Sequence, residues 1–581
     1  MKERHQIVFL IMLFLLSGVI LRLGYWQLIK SSELKISARD QYESSSIVEP
    51  RRGEIITADN YPLVVNRPVY NLTAYMPHLS ETPSLITKAV LPLLNFEISD
   101  PAIATDSVKL AQKVEELKKE QENAMLDRMN NKSFAILARS LSVEEKATIS
   151  ALNIAGLDFE ESFTRGYPEA SLSAHLTGFV GRDELGNPTG YFGLEGFYNR
   201  ELEGRTGLKK QEKDAAGNPL LIGDYRELDK RNGRTLKLYL ERAVQYIAES
   251  ELKKGLEIYG ALSGEVVVMD PKTGGILASI ALPTYSPDKF INFDPYLYKN
   301  PILANAYEPG STFKVLVMAA ALNEGAVKLD DECDICAGPL PLDKYTIKTW
   351  NNEYHPQTTP SEIIANSDNI GMVWTAQKLG GEKLLEYLKK FGFGEKTGID
   401  LQEEITPSLR ENWGSIDYAT ASFGQGIAVT SIQMLRAVSA IANGGLLMEP
   451  HVVQEVVGET TTVIKPREVR RVLTPETAKT MTEIMIASAE HGDAKWTRLA
   501  NYTVAGKTGT AQIPVQGHYD TEKTIASFVG FAPAENPRFV MLVKLREPQS
   551  SPWGSETAAP LWFNIARKLL LYYNIPPDIK S

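Results

Sequence analysis

The chain opens with its least ambiguous pattern. Residues 7–21 form an unbroken apolar and small-residue run, and residues 23–29 extend it past Arg22. A bilayer core takes roughly 20 helical residues. Residues 6–29 are therefore predicted to form one membrane-spanning helix after a short tail of residues 1–5. Arg22 would snorkel near an interface, with Tyr25 and Trp26 in an aromatic belt. A cleaved signal peptide is the rival reading, but no small-residue cleavage site follows the run. Lys2 and Arg4 precede the span, and Arg22, Lys30, Lys35 and Arg39 follow, so the charges do not orient it.

Beyond a polar stretch at residues 30–49, short strand-like runs alternate with Gly-rich segments. Ser107–Asn130 is rich in Lys, Glu, Gln and Leu and reads as an exposed helix whose charge run is a solvated face. Residues 178–207 carry the glycines of closely packed loops. From about residue 234 the pattern changes. Leu240, Ala243, Ile247, Ala248 and Leu252 recur at helical spacing, and strands follow at 265–270 and 276–281 around a Pro271–Gly275 turn. A mainly helical block spans 312–443. Three more strands are predicted at 502–511, 525–532 and 538–545, with a last helix at 559–573. Strands from both ends of this region, with helices between and outside, predict an α+β arrangement of one antiparallel sheet sandwiched by helices. No repeat of 20–50 residues is present.

Composition narrows this only a little. A chain of 581 residues should divide into two or three domains. A net charge of −10 without a basic stripe excludes a nucleic-acid partner, and two cysteines exclude a disulfide scaffold.

The chemistry lies in three short motifs. Ser311-Thr312-Phe313-Lys314 follows Pro309-Gly310 and leads into an apolar helix. Ser367-Asp368-Asn369 falls on a helix–helix connection, and Lys507-Thr508-Gly509-Thr510 lies in a strand. Each motif alone is weak. Ser-x-x-Lys recurs at Ser32, Ser250 and Ser286, and Lys-Thr-Gly at Lys272 and Lys396, but context gives those copies structural explanations. Together and in this order they match the S-x-x-K, S-D-N and K-T-G set of serine acyl-transfer enzymes.

The residue types suit that reaction. Serine needs a base within reach. Lys314 serves if burial and nearby positive charge depress its ammonium, and Lys507 and the helix N-terminus both push that way. Ser367 would relay the proton to the leaving amine, and Asn369 would hold the substrate amide and Lys314. Lys507, Thr508 and Thr510, with Gly509 between them, would grip a terminal carboxylate. The backbone N–H groups of Ser311 and Thr510 would form the oxyanion hole.

On these motifs the chain resembles the class B penicillin-binding proteins. The likeness extends through Arg52-Gly53 with Ile55, Arg165-Gly166-Tyr167-Pro168, Gly193-Leu194-Glu195-Gly196, Val268–Gly274 and Tyr307–Ser311. Gly392-Phe393-Gly394 and Ser422-Phe423-Gly424-Gln425-Gly426 look like the division-type (septal) members. The opening motif departs from the family pattern, with Thr57-Ala58-Asp59-Asn60 where Asp-Arg-Asn-Gly is usual. The resemblance implies an elongated α/β pedestal (dimerisation-type) domain with a helical insert over 30–233. A transpeptidase domain with a five-stranded antiparallel sheet would occupy 234–581. It implies a peptidoglycan D,D-transpeptidase, single-pass in the cytoplasmic membrane with its catalytic domain outside. Stem peptides, β-lactams, a polytopic glycan polymerase and division proteins would be its partners. No cofactor or metal is expected, and no C-terminal repeat extension.

Two other classes compete. A carboxypeptidase or β-lactamase-like hydrolase would use the same triad, but no deacylating base is evident in residues 338–360. An idle divisome scaffold or β-lactam sensor would not need all of Ser311, Lys314, Ser367, Asn369 and Lys507. Cys333 and Cys336 form a C-x-x-C: a redox motif, half a zinc site with His355, free thiols, or a local disulfide, the last favoured in an oxidising compartment. The seven histidines, His175 and His518 among them, lack metal spacing and read as surface or loop residues.

Overall fold

Arg22 does not interrupt the N-terminal helix. The structure is a computed structural model describing residues 2–96, 107–130, 134–169, 171–184, 186–212, 225–410, 412–515 and 518–578. An α-helix over Lys2–Gly24 continues as a π-helical turn over Tyr25–Ile29. The 27-residue helical span Glu3–Ile29 is long and apolar enough to cross a membrane. At a rise of ~1.5 Å per residue it exceeds the roughly 30 Å hydrocarbon core.

The polar stretch that follows is ordered, contrary to its featureless sequence. It forms a helix over Ser31–Tyr42 and a strand over Glu43–Val48, which pairs with Gly207–Glu212 and through it with Tyr225–Leu228. These elements belong to one unit, Met1–Arg52 with Glu203–Gly233, distinct from a second, Gly53–Leu202 with Arg234–Ser581.

Within the second unit a seven-stranded sheet draws strands from both sides of residue 234. Thr235–Leu238 pairs in parallel with Ile55–Ile56 and antiparallel with Val453–Val457. The long strand Pro62–Tyr75 pairs with Phe134–Leu141 and Leu157–Gly166. The helix Ser107–Asn130 is not wholly exposed. Met125 and Met129, one turn apart, are buried with Leu72, Ala74 and Leu137. The 178–207 segment contains short strands (Phe179–Arg182, Pro188–Tyr191) and short helices (Gly193–Phe197, Asn199–Leu202) rather than plain loops. Arg165 ties these parts together. It pairs through Nε with Glu195 Oε1 at 2.6 Å and donates to Gly53 O at 2.6 Å and Asn66 Oδ1 at 3.2 Å. His175 is buried rather than at the surface, and desolvation lowers its pKa to about 4.

The catalytic part centres on five antiparallel strands: β1 (Ser263–Met269), β2 (Ile276–Leu282), β3 (Ala505–Val515), β4 (His518–Ala532) and β5 (Phe539–Arg546), in spatial order β2-β1-β5-β4-β3. Strand alternation gives it two apolar faces. Val266 and Val268 pack beneath α1 (Arg242–Tyr259) and the last helix, α6 (Ala558–Tyr572), around Trp562 and Phe563. Val267 and Met269 face the other core, which contains α2 (Lys314–Asn323), α3 (Asn369–Leu379), α4 (Ser431–Ala442) and α5 (Pro475–His491). Helix α2 is buried from Lys314 to Ala321, the environment its all-round apolar sequence demands. The sheet leaves β3 at one edge, beside the start of α2.

Candidate active site

Ser311 lies in a 3-10 turn, Gly310–Phe313, that feeds directly into α2. Thr312 Oγ1 fastens the turn by donating to Pro309 O at 2.8 Å. Lys314 is fully buried. Its Nζ donates to Ser367 O at 2.6 Å, Ser367 Oγ at 3.2 Å and Asn369 Oδ1 at 2.8 Å. Three acceptors match the three donors of an ammonium, and a neutral amine would keep two and free a lone pair. Burial holds the Lys314 pKa well below the usual lysine range, and the positive charge of Lys507 adds to it, against the pull of Asp368 and Asp493.

The Ser367-Asp368-Asn369 connection is shaped by a left-handed backbone at Ser367, φ 55°. A non-glycine residue there is strained, as functional turns often are. Asp368 caps α3 by accepting from the N–H groups of Ile370 and Gly371 at 2.7 and 3.1 Å. Asn369 is fixed from its other side by donating to Lys348 O at 3.0 Å.

On β3, Lys507 is buried and donates to Thr508 Oγ1 at 3.1 Å. Its pKa is lowered to about 8 by burial, with Asp493 opposing the shift. Thr510 Oγ1 accepts from Gly554 N at 2.9 Å. A cavity of about 120 Å³ is lined by Ser311, Ser367, Thr508 and Thr510 together with Trp350, Asp493, Trp553, Ser555 and Glu556. The three motifs thus converge on one cavity through Ser311, Ser367, Thr508 and Thr510, while Lys314, Asn369 and Lys507 are not part of its lining and both lysines are buried. Gly509 does not line it. A Cβ there would meet Ser527 Oγ at 2.6 Å on β4 and Thr312 Cγ2 at 2.7 Å, so its lack of a side chain lets β3 lie close to both β4 and the serine turn.

Sequence reasoning missed Trp350, Asp493, Trp553, Ser555 and Glu556, all on connecting segments. The only signal was a tryptophan in each of two turn-rich loops; their rings meet across the cavity mouth at 5.1 Å between centroids. A larger cavity of about 800 Å³, beside Lys495, Trp496 and Phe563, contains none of the motif residues. Cys333 and Cys336 are joined as a disulfide, and among the described residues no group of three His, Cys, Asp or Glu is placed to hold a metal ion.

Residues 264–570 match the penicillin binding protein transpeptidase domain. The chain belongs to the penicillin-binding protein transpeptidase family. Residues 47–238 also match the penicillin-binding protein dimerisation domain. The chain is 34% identical to stage V sporulation protein D of Bacillus subtilis, over 97% of this chain and 85% of that protein. It is 28% identical to the probable peptidoglycan D,D-transpeptidase PenA of Neisseria meningitidis, over 99% of this chain and 94% of that one. In fold it resembles penicillin binding protein 3 of Mycobacterium tuberculosis, solved with aztreonam: TM-score 0.68 and 23% identity, covering 92% of this chain and 98% of that one.

Proposed function

We propose that this family member is a serine-type peptidoglycan D,D-transpeptidase. The observation that carries the reading is Lys314, buried, bonded to Ser367 and Asn369, and pushed toward the neutral form by burial and by Lys507. A neutral Lys314 takes the proton of Ser311 as its Oγ attacks the carbonyl of the penultimate D-alanine of a stem peptide. The Ser311 and Thr510 N–H groups hold the oxyanion. Lys507, Thr508 and Thr510 hold the terminal carboxylate. Ser367 passes the proton to the departing D-alanine, and an acceptor amine then attacks the ester.

The same nucleophile would be acylated by β-lactams, in keeping with the aztreonam complex of the structural relative. The N-terminal helix would anchor the protein once in the cytoplasmic membrane, with residues 234–581 outside. Residues 30–233 would serve as a pedestal toward a polytopic glycan polymerase and division proteins. The Ser422–Gly426 motif supports a septal role, whereas the name of the Bacillus subtilis relative favours wall synthesis in sporulation.

Intact-mass measurement after incubation with a β-lactam tests the reaction class, with Ser311→Ala alongside. The expected result is a stable adduct on the wild type that is absent from the variant. Drug turnover without an adduct would instead favour a hydrolase, and neither would favour a scaffold.

A further inference from the structure

The active-site cavity has a negative charge for which the donor stem peptide offers no partner. The donor stem peptide brings a carboxylate, for which Lys507, Thr508 and Thr510 are the complement. Yet Asp493 lines the same cavity. Among the described residues its carboxylate has no hydrogen-bond donor and no salt-bridge partner. Its position is set by the backbone. Gly492 N donates to Ser488 O at 3.1 Å and closes α5, and Lys495 N returns to Gly492 O at 3.1 Å. A Cβ at Gly492 would stand 2.8 Å from Ala365 O, so this turn presses against the helix end that leads into Ser367. Asp493 is therefore delivered to the cavity by close packing.

The charges of Lys314 and Lys507 bear on this carboxylate, but neither lysine forms an ion pair with it, so it is left to meet a cation among the reactants. The acyl acceptor supplies one. A peptide's free side-chain amine is an ammonium at neutral pH, with an ordinary pKa of about 10.4. We propose that Asp493 is the acceptor-binding residue, drawing the ammonium of the incoming stem peptide into the cavity beside the Ser311 ester. This inference rests on the transpeptidase reading. The ammonium gives one proton to water, and its nitrogen attacks the ester carbonyl. The C–N bond forms, the C–O bond to Ser311 breaks, and the second amine proton passes to Ser311 Oγ. Asp493 also bears on both lysines, since its negative charge favours their protonated forms. Glu556, exposed at the rim of the cavity, has the same sign and would lead cations inward.

The test is partition of the acyl-enzyme. Full-length protein in detergent is acylated with an N-acyl-D-alanine thioester, and release to water is compared with transfer to D-alaninamide, a cationic acceptor, and to D-lactamide, its neutral hydroxyl counterpart. Asp493→Asn should lower the aminolysis-to-hydrolysis ratio with D-alaninamide by about tenfold or more, the scale of a lost charge-assisted hydrogen bond. It should leave the D-lactamide ratio within about twofold, which is under half a kcal/mol, and Asp493→Glu should recover part of the loss. An equal fall for both acceptors would reduce Asp493 to a structural role. An unchanged amine ratio would overturn the proposal, and so would a fall in hydrolysis with aminolysis intact, which would make Asp493 the base for water. A wild type that forms the acyl-enzyme but transfers to neither acceptor would sink the transpeptidase reading itself.

Discussion

Raising the pH past about 8 should strip the proton from Lys507 and, with it, the charge proposed to grip the substrate carboxylate. The sign follows from burial: desolvation penalises the ammonium, so the group is cationic below its lowered pKa and neutral above it. With a pKa of about 8, some ten-elevenths of Lys507 is charged at pH ~7 and about one-eleventh at pH ~9. Acylation by a carboxylate-bearing β-lactam should therefore fall by about tenfold per pH unit once well past that point. As the proposed base for Ser311, Lys314 has the opposite requirement, because it must be neutral to accept a proton, so it should supply the rising limb at lower pH. The charged groups bearing on it are Lys507, Asp368 and Asp493. Because the two lysines interact, the limbs of the resulting bell belong to the pair. The assay is the second-order acylation rate constant across about pH 6 to 10 at fixed ionic strength. The methyl ester of the same lactam, which lacks the carboxylate, should show no falling limb. Asp493→Asn should move that limb to lower pH, since it removes the one negative charge that favours protonated Lys507. A rate that is flat or rising through the window, in protein whose circular dichroism is unchanged, would refute the assignment of Lys507 as the carboxylate's cation.

Two further substitutions test the scaffold. Glu195→Gln removes the anion from a pair in which Glu195 is fully buried and Arg165 nearly so, and should cost about 3–5 kcal/mol in denaturant unfolding of the full-length protein. A loss under about 1 kcal/mol would mean that solvent reaches the pair, as it does at surface pairs. Gly509→Ala places a Cβ 2.7 Å from Thr312 Cγ2 and 3.1 Å from Pro309 O, forcing β3 away from the serine turn. Acylation should drop by about tenfold to a hundredfold with cooperative unfolding retained, because small misplacements of reacting groups are costly. Unchanged acylation would show that the approach is not needed.

How much of this was legible depended on whether the information was local. The catalytic motifs were, because each combines a reactive residue with the turn or helix start that positions it. The buried side of Ser107–Asn130 was written in the sequence too, in Met125 and Met129, but the surrounding charges outweighed it. The strand pairing of Ile55–Ile56 with Thr235–Leu238 joins residues about 180 apart, and no periodicity encodes such a pairing. Asp493, Trp350 and Trp553 sit on connections whose path in space is set by the elements they join. Their sequence neighbours therefore say nothing about the cavity they share.

Gly424 shows how geometry can reassign a motif. In the sequence, Ser422–Gly426 reads as a mark of the division-type subclass. In the structure Gly424 has φ 78°, Gly424 O accepts from Gly310 N at 3.0 Å, and a Cβ on Gly424 would stand 2.2 Å from Gly310 O. Any side chain there would displace the Gly310 backbone in the turn that presents Ser311, so glycine is demanded by the nucleophile itself. That requirement is the same whether the wall being built is septal or of another kind. The glycine therefore argues for a working acyl-transfer site, which strengthens the case against an idle scaffold. A septal role is then decided by where the protein acts: a fluorescently tagged chain should gather at midcell before constriction, and uniform placement along the envelope would overturn that role while leaving the chemistry at Ser311 intact.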